Sequence, residues 1–244
     1  QTSVPADIRG VGPIDAPLEI VAPLPSTEIA PGPMRFAWRS AGPGASYSLT
    51  LQEADGRIAW ASTVADTVAV LPDSVALLWV SEVNPEFHAR FAATGREYHY
   101  VILNRSVRPT YLAQRVTHEY RPLDDARMQA AAALLVGTHD FSSFRAMQCQ
   151  AKSPVRTLRE LTVTRHGDFI VIKAAANAFL HHMVRNLAGV LMDIGAGEQE
   201  PEWARAVLNA RDRTVGGITA KPDGLYLAAV DYPAHFNIPR IPVA

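Results

Sequence analysis

The chain has 244 residues, of which 48% are apolar and 19% charged, enough to bury a hydrophobic core without disulfides. No apolar run approaches the roughly 20 residues of a membrane-spanning helix, and the first residues contain no targeting signal, so we expect a cytoplasmic protein. The single cysteine, Cys149, excludes an internal disulfide and a cysteine-built metal site. The formal net charge is -1, so a nucleic-acid partner would have to be bound by a local basic patch.

Residues 1–33 contain seven of the 18 prolines. Proline fixes φ and has no backbone N–H, which disfavours a helix or a central strand. This stretch is therefore predicted to be an extended arm or linker.

Residues 34–72 alternate apolar and polar positions in short runs, which is typical of antiparallel strands. The runs lie at 34–38, 47–52, 58–60 and 68–71. Asp55-Gly56 separates two of them and indicates a hairpin, because both residues tolerate the positive φ of a tight turn. The stretch 18–72 weakly resembles a fibronectin type III or immunoglobulin-like β module.

Beyond Pro72 the pattern mixes strands with amphipathic helices, which predicts an α+β fold. Asp124 occupies an N-cap position and Gly137 is expected to end the helix as a left-handed cap. The predicted elements, in chain order, are strands at 75–80 and 97–103, a helix at 123–135, a hairpin at 160–174, a helix at 181–194 and a strand at 225–230.

Two generic catalytic patterns do not fit. His181 and His182 are adjacent, so on a helix they point about 100° apart and cannot both bind one metal; no metal site is predicted. Ser142 and Ser143 lack the glycine-flanked turn that presents a nucleophilic serine, which favours an ordinary turn.

Five strings, by contrast, closely resemble the tRNA pseudouridine synthase A family, in the family's order and without large gaps over about residues 71–239. They are Phe87–Phe91 (FHARF), Arg96–Tyr100 (REYHY), His139–Arg145 (HDFSSFR), Asn177–Asn186 (NAFLHHMVRN) and Gly224–Leu227 (GLYL). The resemblance implies a ferredoxin-like α/β synthase domain at 73–244, in a family that places its cleft between two such domains. The β-rich segment at 34–72 then stands in place of the first domain.

The resemblance also implies the chemistry. In the family an aspartate attacks the target uridine, the N1–C1′ bond breaks, and uracil rotates and rejoins through C5, with no cofactor or metal. Carried over, Tyr98 would stack on the uracil and serve the C5 proton transfer. Leu225 would close the base pocket against water, and Arg185 would pair with the catalytic carboxylate.

Further substrate contacts follow from the same resemblance. The expected partner is tRNA, at uridines of the anticodon stem-loop, and the family acts as a homodimer. Arginine makes up 20 of the 23 basic residues, and its planar fork suits phosphate contacts. The residues expected to bind the substrate are Phe179, Arg145, Arg105 and Arg108, with Arg156 as a further phosphate contact.

The family's nucleophile lies in a Gly-Arg-Thr-Asp-Ala-Gly-Val-His string that this sequence does not contain. The nearest match, Arg39-Ser40-Ala41-Gly42, has alanine in place of the aspartate, and Asp55 and Asp66 are the first candidates for a substitute. The sequence leaves open a catalytic synthase and a non-catalytic RNA-binding remnant or fusion protein. A third alternative, an exported protein defined by its β module, would require a leader ahead of Gln1.

Overall fold

The computed structural model describes residues 86–238 in full and, ahead of them, the backbone of six strands. The chain divides into two compact units. One comprises residues 1–93 and 232–240, and the other comprises residues 94–231 and 241–244.

The first unit is built from short antiparallel strands: β1 (Ala6–Val11), β2 (Ile20–Ala22), β3 (Arg35–Trp38), β4 (Ser46–Gln52), β5 (Ile58–Val64) and β6 (Val68–Val70). They form two three-stranded sheets, in the orders β1-β4-β5 and β2-β3-β6. The four predicted strands of this region are confirmed as β3 to β6. The antiparallel pairing of β4 with β5, with Gln52 opposite Ile58, confirms that the two strands pair as predicted. The predicted Asp55-Gly56 turn between them lies outside the described residues.

Within the proline-rich stretch, β1 and β2 are both edge strands of their sheets. Prolines flank these strands and do not interrupt them, as expected where a missing N–H would break a central ladder. The strand predicted at 75–80 lies outside the described residues, and the division into an arm at 1–33, a β-rich segment at 34–72 and a synthase domain at 73–244 stays a proposal.

The second unit is a mixed α+β domain, as predicted. Its strands are β7 (Gly95–Asn104), β8 (Thr117–Glu119), β9 (Gly137–Asp140), β10 (Val155–His166), β11 (Phe169–Ala176) and β12 (Leu225–Asp231), and its helices are α1 (Asp125–Ala133), α2 (Met183–Gly195) and α3 (Trp203–Ala210). The sheet order is β12-β7-β11-β10-β9, and β8 pairs in parallel with the end of β7. The predicted strand at 97–103, the hairpin, both helices and the last strand are confirmed.

The core lies between one face of this sheet and the helices. Alternate residues of the central strands point into it, including Tyr100 and Ile102 of β7 and Ile170 and Ile172 of β11. In α2 every residue except Arg185 and Asp193 is buried. No helix of the described residues is both long and apolar enough to cross a bilayer.

The ends of α1 show one correct and one wrong prediction. Asp124 caps the helix: its Oδ1 accepts hydrogen bonds from the amides of Ala126 at 2.9 Å and Arg127 at 3.0 Å. Gly137 does not cap the other end. The helix closes earlier, where Leu135 donates to the carbonyl three residues back, because Leu135 itself is drawn into the core. Gly137 has a φ of +125° and begins β9.

Candidate functional site

Tyr98 and Phe179 form an aromatic pair at the side of the core. Tyr98 lies in β7, opposite Ala174 of β11 and Leu227 of β12. Its ring meets the Phe179 ring edge to face, with centroids 5.2 Å apart and an interplanar angle of 90°. Both side chains are half-buried against the core cluster, so they present a preformed aromatic surface.

Leu225 shares this face of the sheet. It begins β12 directly opposite Tyr100, and residues opposite each other in an antiparallel pair point to the same side. Gly224 fixes where the strand begins: its φ is +91° and an added Cβ would collide with the carbonyl of Val101. That close approach sets the register that brings Leu225 to the Tyr98 side.

Tyr100, the second tyrosine of the REYHY string, has a structural role. Its hydroxyl donates to the carbonyl of Lys221 at 2.8 Å and lies 2.6 Å from the Thr117 hydroxyl, which in turn bonds to the carbonyl of Asp223 at 2.5 Å. Burial raises the pKa of Tyr100 to about 12. The phenol therefore stays protonated and ties residues 221–223 to the sheet, just ahead of Leu225.

Arg185 is fixed by the segment that precedes β12. Its Nε donates to the carbonyl of Ala220 at 2.7 Å, and the amide of Ala220 donates back to the carbonyl of Arg185 at 3.2 Å. Its charge also reaches the Tyr100 hydroxyl, where it partly offsets the rise in pKa caused by burial. No Asp or Glu among residues 86–238 forms an ion pair with Arg185.

Asn186, the residue after Arg185, is buried and its side chain makes three hydrogen bonds. Its Nδ2 donates to the carbonyl of Phe144 at 2.7 Å. Its Oδ1 accepts from the Thr219 hydroxyl at 2.6 Å and from Arg213 Nη2 at 3.1 Å. Each bond links α2 to a segment distant in sequence, so the side chain joins three parts of the domain.

Arg213 completes this clamp. Its Nη1 donates to the carbonyls of Gly216 and Gly217, both at 3.0 Å, while Nη2 binds the Thr219 hydroxyl at 2.8 Å as well as Asn186. The clamp holds residues 213–219 on α2, immediately before the Ala220 carbonyl that orients Arg185. Sequence reasoning missed this function of Asn186 and Arg213, and the only signal was the position of Asn186 inside the resembling string.

His182 enters α2 in a strained conformation. Its φ of 61° and ψ of 6° are left-handed, and its side chain caps no helix amide. Burial lowers the pKa of His182, and the nearby charges of His181, Arg185 and Arg213 lower it further. Left-handed backbone at a residue other than glycine costs free energy and is concentrated at functional sites. Here it directly precedes the turn of α2 that carries Arg185.

Arg145 stabilises a loop beside the aromatic pair. Its Nη2 donates to the carbonyls of Cys149 at 2.6 Å and Ala151 at 2.8 Å. The same loop is hydrogen-bonded to the segment that follows Phe179: the Cys149 thiol accepts from the amide of His181 at 3.3 Å. Hydrogen bonding and the Arg145 charge lower the pKa of Cys149 although its burial acts in the opposite direction. Arg145 thus lies in a loop bonded to the segment after Phe179.

Arg105 lies beyond the end of β7 that is opposite Tyr98, and Arg108 follows it in the next loop. Arg105 follows the last residue of β7, seven positions after Tyr98, which corresponds to about 23 Å along an extended strand. Arg108 is exposed in the loop beyond. Arg156 lies at the start of β10 and donates to the carbonyls of Ser153 at 3.0 Å and Val155 at 2.6 Å. The structure therefore groups Tyr98, Phe179, Leu225 and Arg185, and places Arg105 beyond the opposite end of β7.

The serines singled out earlier have structural roles. Ser142 donates to Asp140 Oδ1 at 2.6 Å and Ser143 donates to the carbonyl of Val207 at 2.5 Å, so the ordinary turn is the correct interpretation. A surface cavity of about 460 Å³ lies nearby and contains none of the predicted site residues; it is lined by Thr138, His139, Asp140, Leu208, Asn209 and Arg211. Among the described residues no three His, Cys, Asp or Glu side chains are grouped to hold a metal.

The second unit is thus an α+β domain whose sheet carries a half-buried aromatic pair and whose helix α2 carries an arginine fixed by a backbone carbonyl. Its sequence matches the family described as tRNA pseudouridine synthase over residues 131–233. A tRNA pseudouridine synthase A of Nitrosococcus oceani is 62% identical over 172 residues, which are 70% of this chain and 66% of that protein.

Two further relatives carry the same name. The Pseudomonas aeruginosa protein is 55% identical over 177 residues, 72% of this chain and 62% of its own length. The Aliivibrio fischeri protein is 52% identical over 175 residues, 72% of this chain and 67% of its own length. The chain belongs to the tRNA pseudouridine synthase family, which confirms the resemblance stated from the five strings. It spans about two thirds of the length of these relatives.

Proposed function

We propose that the chain is a tRNA pseudouridine synthase, an isomerase that converts uridine to pseudouridine, and that its second unit holds the target base. The observation that carries the proposal is the grouping of a half-buried Tyr98–Phe179 pair with Leu225 on one face of the sheet. An apolar surface that offers an aromatic ring suits a pyrimidine taken out of its stack.

In the proposed reaction a carboxylate bonds to C1′ of the uridine as the N1–C1′ bond breaks. Uracil then turns and bonds to C1′ through C5, and the carboxylate–C1′ bond breaks, which releases the carboxylate. The proton on C5 leaves and N1 takes up a proton, so atoms balance without a redox step or a cofactor. Tyr98 supplies the stacking surface and a hydroxyl that can accept or relay the C5 proton. Leu225 excludes water from the pocket.

Arg185 is the proposed partner of the carboxylate. Because its Nε is already bonded to the Ala220 carbonyl, a carboxylate would meet its terminal nitrogens. Such a charge-assisted pair stabilises the ionised, nucleophilic form. Asp55 and Asp66 are the first candidates for this carboxylate.

The remaining parts of the proposal concern the substrate and the assembly. The names of the relatives support tRNA as the substrate, and we propose the anticodon stem-loop as the place of modification. Arg145, Arg105, Arg108 and Arg156 would bind its phosphates. A homodimer in the cytoplasm, with the β-rich segment at 34–72 in place of the family's first domain, completes the proposal.

A second candidate function is tRNA binding without turnover. Two observations favour it: the sequence lacks the family's Gly-Arg-Thr-Asp string, and Arg185 has no carboxylate partner among the described residues. Removing a nucleophile abolishes the covalent step but leaves the contacts that hold the base.

A tritium-release assay distinguishes the two candidates. The full chain is incubated with tRNA carrying tritium at C5 of its uridines, which is lost only when the base rejoins through C5. Release that disappears in Asp55→Asn or Asp66→Asn identifies the nucleophile and supports the synthase. Measurable tRNA binding with no release supports the second candidate, and a folded chain with neither release nor tRNA binding contradicts both.

A further inference from the structure

The loop that joins β7 to β8 carries a concentration of positive charge. Residues 105–115 contain three arginines and no acidic residue, in a chain whose formal net charge is -1. Arg108 and Arg115 are exposed and neither forms an ion pair with another described residue. Among residues 86–238, Arg105 has one carboxylate oxygen within 4 Å, that of Asp168 at 3.8 Å.

The same loop exposes apolar side chains. Tyr111 is 79% exposed and Val107 is 66% exposed. Exposed aromatic rings between arginines are typical of protein surfaces that bind single-stranded nucleic acids, because the ring stacks on a base while the guanidinium groups contact the phosphates.

The loop is nevertheless held in place at both ends. The His118 ring bonds to the carbonyl of Arg105 at 2.7 Å, and the Tyr226 hydroxyl donates to the carbonyl of Arg115 at 2.5 Å. Between them the amide of Arg115 donates to the carbonyl of Leu112 at 3.0 Å in a tight turn. A loop fixed in this way loses little conformational entropy when it binds a ligand.

We propose that residues 105–115 form a second tRNA contact, in which Tyr111 stacks on an unpaired base and Arg108 and Arg115 bind flanking phosphates. The inference rests on the proposed tRNA substrate and adds a base contact other than the one made by the Tyr98–Phe179 pair. Self-association about a two-fold axis that passes through this loop is disfavoured, because such an axis would place its arginines against identical arginines.

The stacking contact is tested with three variants of the full chain. Affinity for an unmodified tRNA transcript is measured by filter binding at fixed salt. Tyr111→Ala is expected to weaken binding at least five-fold, the lower limit for one stacked base, and Tyr111→Trp is expected to retain wild-type affinity. Tyr120→Ala is the matched control, because Tyr120 is also 70% exposed but lies outside the loop; it should leave binding unchanged.

The phosphate contacts are tested through the salt dependence of the same binding. Arg108→Ala and Arg115→Ala should each lower the slope of log affinity against log salt by about 0.7 to 0.9, while Tyr111→Ala should leave the slope as in the wild type. These arginine variants also keep the test decisive if Tyr111→Ala fails to fold.

The outcomes separate the inference from the function on which it rests. Wild-type affinity and slope in the Tyr111 and arginine variants would overturn the loop contact while tRNA binding stands. A loss of self-association on sedimentation, with tRNA affinity unchanged, would instead assign the loop to a protein interface. A wild-type chain that binds no tRNA would contradict the proposed function itself.

Discussion

The two ends of β7 carry different kinds of residue. Near its beginning, Tyr98 is half-buried against Phe179 and Arg185 is held by the Ala220 carbonyl. Beyond its end, Tyr111 and Arg108 extend from the surface. One end fixes side chains in position, and the other presents charge and an aromatic ring on a supported loop.

The difference reflects what each task demands. Bond making requires groups held to within a fraction of an ångström. Holding them requires buried polar groups, and each of these needs a hydrogen-bond partner. Binding a phosphate chain requires charge near the surface and tolerates imprecise geometry. Substitutions near the Tyr98 pocket should therefore affect turnover and stability, and those in the 105–115 loop should affect affinity alone.

The largest effect is expected on turnover. Tyr98→Ala and Arg185→Ala should each reduce tritium release by about 100-fold or more, because one removes the proton path and the other the partner of the carboxylate. Arg205→Ala is the matched control, since Arg205 is exposed on α3, and should release tritium as the wild type does. Wild-type turnover in Tyr98→Ala or Arg185→Ala would contradict the assignment of turnover to the residues near the beginning of β7.

The next effect is on stability. Asn186→Ala removes the hydrogen-bond partner of the Phe144 carbonyl, of the Thr219 hydroxyl and of one Arg213 N–H. This loss should lower the free energy of unfolding by about 3 kcal/mol. Urea unfolding measures it. Asn209→Ala, at an exposed position of α3, should change stability by less than about 0.5 kcal/mol, and equal effects of the two would exclude the clamp.

Gly224→Ala should have a smaller but still measurable effect. The substitution adds a Cβ against the Val101 carbonyl at a φ of +91°, whereas Gly167 has a φ of +59° with open space where its Cβ would lie. Gly167→Ala should therefore cost about 1 kcal/mol of backbone strain, and Gly224→Ala at least about 1 kcal/mol more. A smaller cost at Gly224 would mean that β12 can shift its register.

The sequence predicts those elements whose pattern is local. The alternation in β3 to β7 and the apolar stripe of α2 are visible without coordinates, and the resembling strings lead directly to Tyr98, Phe179, Leu225 and Arg185. The sequence also predicts the separation of Arg105 from Tyr98, because Tyr98 lies near the start of the strand predicted at 97–103 and Arg105 lies beyond its end.

Other features depend on contacts between distant segments. The bond between Asn186 and Arg213 joins residues 27 apart, so no periodicity indicates it. The eight-residue α3 has only a short buried face, and the three residues of β8 form a strand only because β7 offers an edge. Gly137 was predicted as a helix cap from its residue type, yet the burial of Leu135 ends the helix before it.

The smallest effect concerns pH and the start of α2. Because burial and neighbouring positive charges lower the pKa of His182, the unfolded chain binds a proton more readily than the folded one. The corresponding stability is complete above the ordinary histidine pKa of about 6.5 and is lost as the pH falls through the lower pKa of the folded state. The melting temperature should therefore decline from pH 7 towards pH 5, and less steeply in His182→Asn, which also tolerates the left-handed backbone. The exposed His166→Asn should keep the wild-type pH dependence; a His182→Asn profile that also matches the wild type would show that this ring is not what couples the start of α2 to pH.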